Sequence, residues 1–111
     1  MEEQTCVQSG VSPRPLRVDF ISKGFHFEQI GSTVEYDSVL GRDAGIYLYR
    51  CTAKYGSIHY EVFEHRVNSM YNTVTYPSDE CFGKWAKCCR KLDRATKYLH
   101  GGINAADVPQ K

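Results

Sequence analysis

Basic side chains recur in the C-terminal part of the chain, and they have the clearest potential for binding chemistry. From Gly83 to His100 there are six Lys or Arg residues and one acid, Asp93, a local net charge of +5. Residues 1–78 carry seven basic and nine acidic residues, a net charge of −2. Clustered cations bind phosphate groups or the acidic surface of a protein partner. The candidate binding residues are therefore Lys84, Lys87, Arg90, Lys91, Arg94 and Lys97.

Cysteine and histidine are the natural metal ligands of this chain, but their spacing does not bring them together. Cys81 and Cys88 are seven residues apart, and no CxxC or HxxxH pair is present. His59 and His65 would lie roughly 20 Å apart on one extended strand. We therefore predict no metal site and no cofactor.

A catalytic nucleophile would need a cysteine or serine beside a histidine. The strand pairing predicted below places Cys51 and His59 on opposite faces of a sheet, which excludes that pair. Cys88 lies close to Lys87 and Arg90, whose charge could lower the thiol pKa, so a redox-sensitive thiol is the minor alternative to an unreactive one. The polar residues of the outward face are typical of a solvated sheet and do not by themselves indicate catalysis: Arg50, Thr52, His59, Glu61 and His65. We predict a protein without catalytic residues.

Size and composition favour one small folded domain. The chain has 111 residues, 41% of them hydrophobic, and a formal net charge of +1. We expect a disordered tail at 1–15, a single α+β domain at 16–100 and a flexible tail at 101–111. No apolar run reaches the roughly 18 residues of a membrane span, so no membrane partner is expected. Five cysteines, an odd number, indicate free thiols and a cytoplasmic location.

Two hairpins are predicted from alternating apolar residues around Gly-Ser pairs. Gly31-Ser32 would join 25–30 to 33–40 and place Phe27 opposite Tyr36, and a tight turn at Lys23-Gly24 would place Phe20 opposite Phe27.

The second hairpin would pair residues 46–55 with 58–67 around Gly56-Ser57. Pairing residue 55 with 58 puts Cys51 opposite Val62, on the face predicted to be buried.

The basic stretch that follows has two interpretations. Residues 79–100 could form one helix capped by Ser78, with the cations on a continuous outer stripe. Alternatively, 82–89 forms a strand beside 58–67, and a helix runs from Asp93, its N-cap, to His100 before Gly101. Gly83 costs about 1 kcal/mol inside a helix, which favours the second interpretation. The predicted fold is α+β, an antiparallel β-meander of four to six strands with a C-terminal α-helix packed on one face.

This fold and the lack of catalytic residues favour a small non-enzymatic interaction module that recognises a protein partner through its surface. The alternative is a nucleic-acid-binding accessory protein that uses the basic 84–97 stretch. The oligomeric state does not follow from the sequence.

Overall fold

The computed structural model describes residues 13–103, and an antiparallel sheet organises them. Its five strands lie in the order β1-β2-β5-β6-β9, and two small hairpins, β3–β4 and β7–β8, project from the connections. A 3-10 helix spans Asp79–Cys81, and one α-helix, α1, spans Leu92–Gly101. The predicted α+β fold with a C-terminal helix is confirmed. The strands are β1 Asp19–Ser22, β2 Phe25–Ser32, β3 Glu35–Asp37, β4 Arg42–Ala44, β5 Ile46–Ala53, β6 Ile58–Glu64, β7 Val67–Asn68, β8 Thr73–Val74 and β9 Ala86–Cys89.

Helix α1 packs on one face of the sheet and closes an aliphatic core. Leu48 and Val62 face each other across β5 and β6, and Leu99 reaches them from the helix. Full burial of one such side chain stabilises the fold by about 1.5–3 kcal/mol. The core on this side consists of Ile46, Leu48, Val62, Cys89, Ala95, Tyr98, Leu99 and Ile103.

The opposite face of the sheet is aromatic, and helix α1 does not cover it. Tyr49 and Phe63 are fully buried there, with their ring centroids 5.6 Å apart. Irregular chain covers them, and it contributes Leu16, Tyr76, Phe82 and Trp85 to this second core. The two faces of the sheet therefore have different chemistry.

The turn at Lys23-Gly24 forms as predicted. Both residues have positive φ, 51° and 82°, as a two-residue type I′ turn requires. Phe20 lies opposite Phe27, which confirms that part of the predicted register.

The predicted hairpin around Gly31-Ser32 is wrong. Both residues lie inside β2, which pairs with β5, so Phe27 lies opposite Cys51 and not Tyr36. Gly31 follows a bulge, and a Cβ atom there would lie 3.2 Å from Leu99 of the helix. This glycine permits close helix packing and does not form a turn.

The second hairpin forms, but its predicted register is wrong by three residues. Cys51 lies opposite His59, and Leu48, not Cys51, lies opposite Val62. The loop has three residues, 54–56, closed by the Ala53 N–H donating to the Ser57 carbonyl at 2.8 Å, with Gly56 at φ 95° in its last position. A register shift by an odd number of residues moves every β6 side chain to the other face of the sheet relative to β5.

The basic stretch forms a strand followed by a helix, as the favoured interpretation predicts. Strand β9 pairs with β6, Phe63 lying opposite Ala86, and α1 begins three residues after β9 ends. The prediction of Asp93 as N-cap is wrong, because Lys91 holds that position and Asp93 lies in the first turn. Its negative charge still stabilises α1 in that position, because it lies near the positive end of the helix dipole.

Parts of both predicted tails belong to the described chain. Arg14 pairs with Thr73 through two backbone hydrogen bonds, to Asn72 and from Val74, each 2.9 Å. At the other end, Ile103 is buried in the aliphatic core. The rest of the two tails, residues 1–12 and 104–111, lies outside the described residues. Within residues 13–103 no helix is long and apolar enough to cross a bilayer.

Candidate functional site

A cavity of about 950 Å³ lies on the aromatic face of the sheet. Strands β1, β2 and β6 contribute Phe20, Phe27 and Glu61 to its wall, and segments 14–17 and 73–82, which include β8 and the 3-10 helix, supply most of the rest. Its volume lies within the range typical of ligand sites, which are mostly apolar with a few placed polar groups.

Four aromatic rings line the cavity, and three of them, Phe20, Phe27 and Tyr76, contact one another. Phe20 and Phe27, opposite each other in β1 and β2, stack at 4.8 Å between centroids with planes 7° apart. Tyr76 meets both edge-on, at 5.8 and 5.5 Å. Such pairs are worth about 0.5–1.5 kcal/mol beyond area burial, so the sheet holds these rings in place.

Charged side chains lie around the cavity with the two signs on different segments. Arg14, Arg17 and Lys23 come from the N-terminal part of the wall, and Asp79 and Glu80 come from the 3-10 helix. The Arg17 guanidinium lies 4.6 Å from the centroid of the Phe20 ring, a cation–π contact.

A buried hydroxyl fixes the backbone that carries these cations. The Tyr49 hydroxyl donates to the Arg17 carbonyl at 2.7 Å and accepts from the Gln29 side-chain amide at 3.0 Å. Because Tyr49 is fully buried, the 14–17 segment is tied to the centre of the sheet and does not simply lie over it.

Glu61 joins the cavity to a polar cluster on the same face. Its Oε1 accepts a 2.6 Å hydrogen bond from the Tyr76 hydroxyl, and its Oε2 lies 2.9 Å from His59 Nε2. The Cys51 sulfur lies within 4.8 Å of the ligand atoms of His59 and Glu61. Only 14% of the Glu61 side chain and 25% of the His59 side chain are exposed. The thiol, imidazole, carboxyl and phenol thus form one connected group.

This cluster corrects the prediction that Cys51 and His59 lie on opposite faces. They are directly opposite each other in β5 and β6 on one face, and Glu61 follows two residues after His59. A three-residue loop ending in Gly56 would have produced this register from the sequence, and Gly at the third loop position was the available signal.

The cluster is poorly suited to nucleophilic catalysis by Cys51. Burial raises the thiol pKa to about 12, and the Glu61 carboxylate adds to the rise. Because the thiolate is the nucleophile, this cysteine is unreactive near neutral pH. Burial and the same carboxylate also raise the pKa of Tyr76 well above its ordinary value.

The basic neighbours of Cys88 do not lower its thiol pKa. Cys88 is an exposed residue opposite Glu61 in the register of β9 and β6. Partial desolvation of its thiol and the Glu61 carboxylate raise the pKa and outweigh the nearby Arg90. No register between 82–89 and 58–67 was predicted, so Glu61 was not identified as a neighbour of Cys88.

The six predicted binding residues are divided among several elements. Lys84 lies in the turn after the 3-10 helix, Lys87 in β9 and Arg90 in the bend that follows. Lys91 caps α1, and Arg94 and Lys97 lie on it. The continuous stripe of a single helix is therefore absent, although the four cations from Arg90 to Lys97 are exposed. The cations of α1 lie on the helix side of the sheet, away from the aromatic cavity.

Known proteins give no further guidance to this site. No protein-family model, no curated protein and no solved structure matches the chain.

Proposed function

We propose that this protein is a non-enzymatic interaction module that recognises a protein partner by accepting a short segment of it in the aromatic cavity. The supporting observation is the 950 Å³ cavity, with Phe20, Phe27 and Tyr76 in its wall. Aromatic side chains held in a pocket are typical of the energetically dominant part of an interface.

The N-terminal side of the cavity favours an acidic segment, whereas Glu61, Asp79 and Glu80 elsewhere in the wall balance its charge. Arg14, Arg17 and Lys23 offer three cations on one wall, and Arg17 is held over an aromatic ring. A partner segment with one aromatic residue flanked by carboxylates would complement both the rings and these cations.

Exposed apolar residues extend the proposed surface beyond the cavity. Met70 and Tyr71, 80% and 71% exposed, form the tip of the β7–β8 hairpin. Strand β8 also contributes Thr73 and Val74 to the cavity wall. Methionine adapts to irregular surfaces and tyrosine is enriched at interfaces, so the tip is suited to contacting the same partner.

A peptide titration followed by amide NMR tests this proposal. The probes are a capped pentapeptide with one central Phe between Glu residues and its counterpart with Lys in place of Glu. The acidic peptide should shift the amides around Phe20, Phe27 and Tyr76, and the basic peptide should not. Equal shifts from both peptides, or acidic-peptide shifts confined to α1, would contradict the proposal.

Charge reversal locates the cations involved. Arg17→Glu with Lys23→Glu should weaken acidic-peptide binding about 10-fold, since an exposed ion pair is worth up to about 1 kcal/mol and reversal adds repulsion. Lys97→Glu on the far side of the sheet is the matched control and should leave affinity unchanged. The opposite ranking would place the interaction on the helix.

Nucleic-acid binding by the basic 84–97 stretch is the second candidate function. It is supported by the exposed cations from Arg90 to Lys97 at and after the start of α1. Retention on immobilised DNA should then fall steeply with log salt, and Lys87→Glu with Arg94→Glu should abolish it. Retention that is weak, or unchanged in this double variant, would exclude this function.

We further propose a cytoplasmic location. Its support is that none of the four cysteines among the described residues, Cys51, Cys81, Cys88 and Cys89, forms a disulfide, the usual state in a reducing compartment. Fractionation of the native host with an antibody against the protein tests it, and recovery from an oxidising compartment would contradict it.

A further inference from the structure

The cluster on the aromatic face brings together three side chains that are metal ligands in many proteins. The ligand atoms of Cys51, His59 and Glu61 all lie within 4.8 Å of one another. This convergence results from the pairing of β5 with β6, which places Cys51 opposite His59, and from the period of two along β6.

The surroundings hold two of these ligands in place. The Tyr76 hydroxyl donates to Glu61 Oε1 and leaves Oε2 directed towards His59. The Phe25 ring packs edge-on against the imidazole, with centroids 5.4 Å apart. Partners outside the ligand set that orient the ligands are a regular feature of protein metal sites.

We propose that Cys51, His59 and Glu61 bind one zinc ion. A thiolate, an imidazole and a carboxylate form a mixed S, N and O donor set that suits this borderline cation. On binding, the Cys51 thiol releases its proton to solvent and its sulfur bonds to the metal, while His59 binds as the neutral imidazole. The two negative charges of thiolate and carboxylate then cancel the dication, so a half-buried site holds no net charge.

Three protein ligands leave one position of a zinc tetrahedron for water or for a group from a ligand. Glu61 and Tyr76 also border the cavity. The zinc site does not depend on the proposed partner, because its ligands come from the protein alone.

A second cluster provides an internal comparison. Asp19, His26 and Glu28 also bring three ligand atoms within 4.8 Å, at the outer edge of the sheet. This cluster has no thiol, its Asp19 and His26 side chains are 65% and 40% exposed, and Glu28 is ion-paired with Arg50 at 3.1 Å. Zinc should therefore prefer the cluster that contains Cys51.

Metal titration of the full 111-residue chain under reducing conditions tests the proposal. Zinc affinity is measured by competition with a chromophoric chelator, and cobalt is used as a spectroscopic substitute. We expect the chain to take one zinc ion from the chelator. With cobalt we expect a thiolate-to-metal charge-transfer band in the near ultraviolet.

Matched variants identify the ligands. His59→Gln can still donate to Glu61, and it should weaken zinc binding by more than the roughly 10–100-fold that loss of an orienting partner costs. His26→Gln makes the same change in the outer cluster and should have no effect. Cys51→Ser should remove the cobalt band, whereas Cys81→Ser should retain it.

The proposal is overturned if the chain binds less than one zinc, if the cobalt band is absent, or if His26→Gln weakens binding more than His59→Gln. If Cys51→Ser does not fold, as judged by circular dichroism, the two histidine variants still decide the outcome. Failure of the acidic peptide to bind would contradict the proposed partner and leave the zinc result intact.

Discussion

The two faces of the sheet are built from the same strands but differ in composition and in what packs on them. The helix face pairs aliphatic residues with α1 and buries Leu48 and Val62 almost completely. The aromatic face is covered by irregular chain, and between that chain and the sheet lies the 950 Å³ cavity. Here Tyr49, Tyr76 and Glu61 are engaged in hydrogen bonds.

The difference shows how covering chain shapes a surface. A regular helix presents one continuous apolar stripe and can pack against a sheet with little space between them. Tyrosine rings covered by loops pack edge-on against other rings, and their hydroxyl groups still form hydrogen bonds. We therefore expect the helix face to contribute most to stability, and the proposed recognition would use the aromatic face.

The largest expected effect is the loss of stability when a core side chain is truncated, and it should differ between the two faces. Leu48→Ala should lower the free energy of unfolding by about 2–5 kcal/mol, because it leaves a void in a closed core. Phe27→Ala should cost less than Leu48→Ala, because the Phe27 ring already borders the cavity. Urea unfolding of both variants checks this order. A larger loss for Phe27→Ala would mean that the aromatic face is the main source of stability.

A smaller effect is expected when the polar cluster loses one hydrogen bond. Tyr76→Phe removes the donor to the half-buried Glu61 carboxylate and should lower the free energy of unfolding by about 1–3 kcal/mol. Tyr36→Phe, at a residue 66% exposed, is the control and should stay within about 0.5 kcal/mol of the parent. Equal urea midpoints for the two variants would show that the Tyr76 hydroxyl contributes nothing.

The smallest effect concerns pH and a buried histidine beside the aromatic face. Burial lowers the pKa of His65 below its ordinary value of 6.5, with Arg42 contributing to the fall and Asp43 opposing it, and Nδ1 lies 2.8 Å from the Tyr47 hydroxyl. The unfolded chain therefore binds the proton more readily than the folded chain. The stability from neutral His65 should be fully present above about pH 6.5 and be lost as pH falls through the folded pKa.

Urea unfolding at several pH values measures this loss. His65→Gln does not titrate, so its stability should change less between pH 7 and pH 5 than that of the parent. Parallel stability curves for the two proteins would mean that His65 is not responsible for the acid sensitivity.

Local sequence signals predicted a large part of this fold. The Lys23-Gly24 pair indicated the first turn, and both residues have the positive φ that the turn needs. Gly83 and the weak helix propensity of Cys88-Cys89 favoured a strand followed by a helix in the basic stretch. Each of these features depends on residues close together in the chain, so composition and periodicity were sufficient.

Predictions about contacts between residues far apart in the sequence were wrong when they rested on the same local signals. Gly31 looks like a turn residue, but it lies in β2 where Leu99 of the helix approaches. The Gly56 loop could hold two residues or three, and this choice decides which face His59 and Glu61 share with Cys51.

The sequence by itself determined the α+β class and the first turn and favoured the order of strand and helix near the C-terminus, because short-range backbone preferences influence all three. Only the tertiary structure decided the register of β5 with β6, and with it the cluster of Cys51, His59 and Glu61 beside the cavity. The physical reason is that a strand has a period of two: a shift of three residues preserves the alternating pattern but exchanges the faces. Packing on both sides of the sheet then selects the register that buries Val62 under the helix and Phe63 among the aromatic rings.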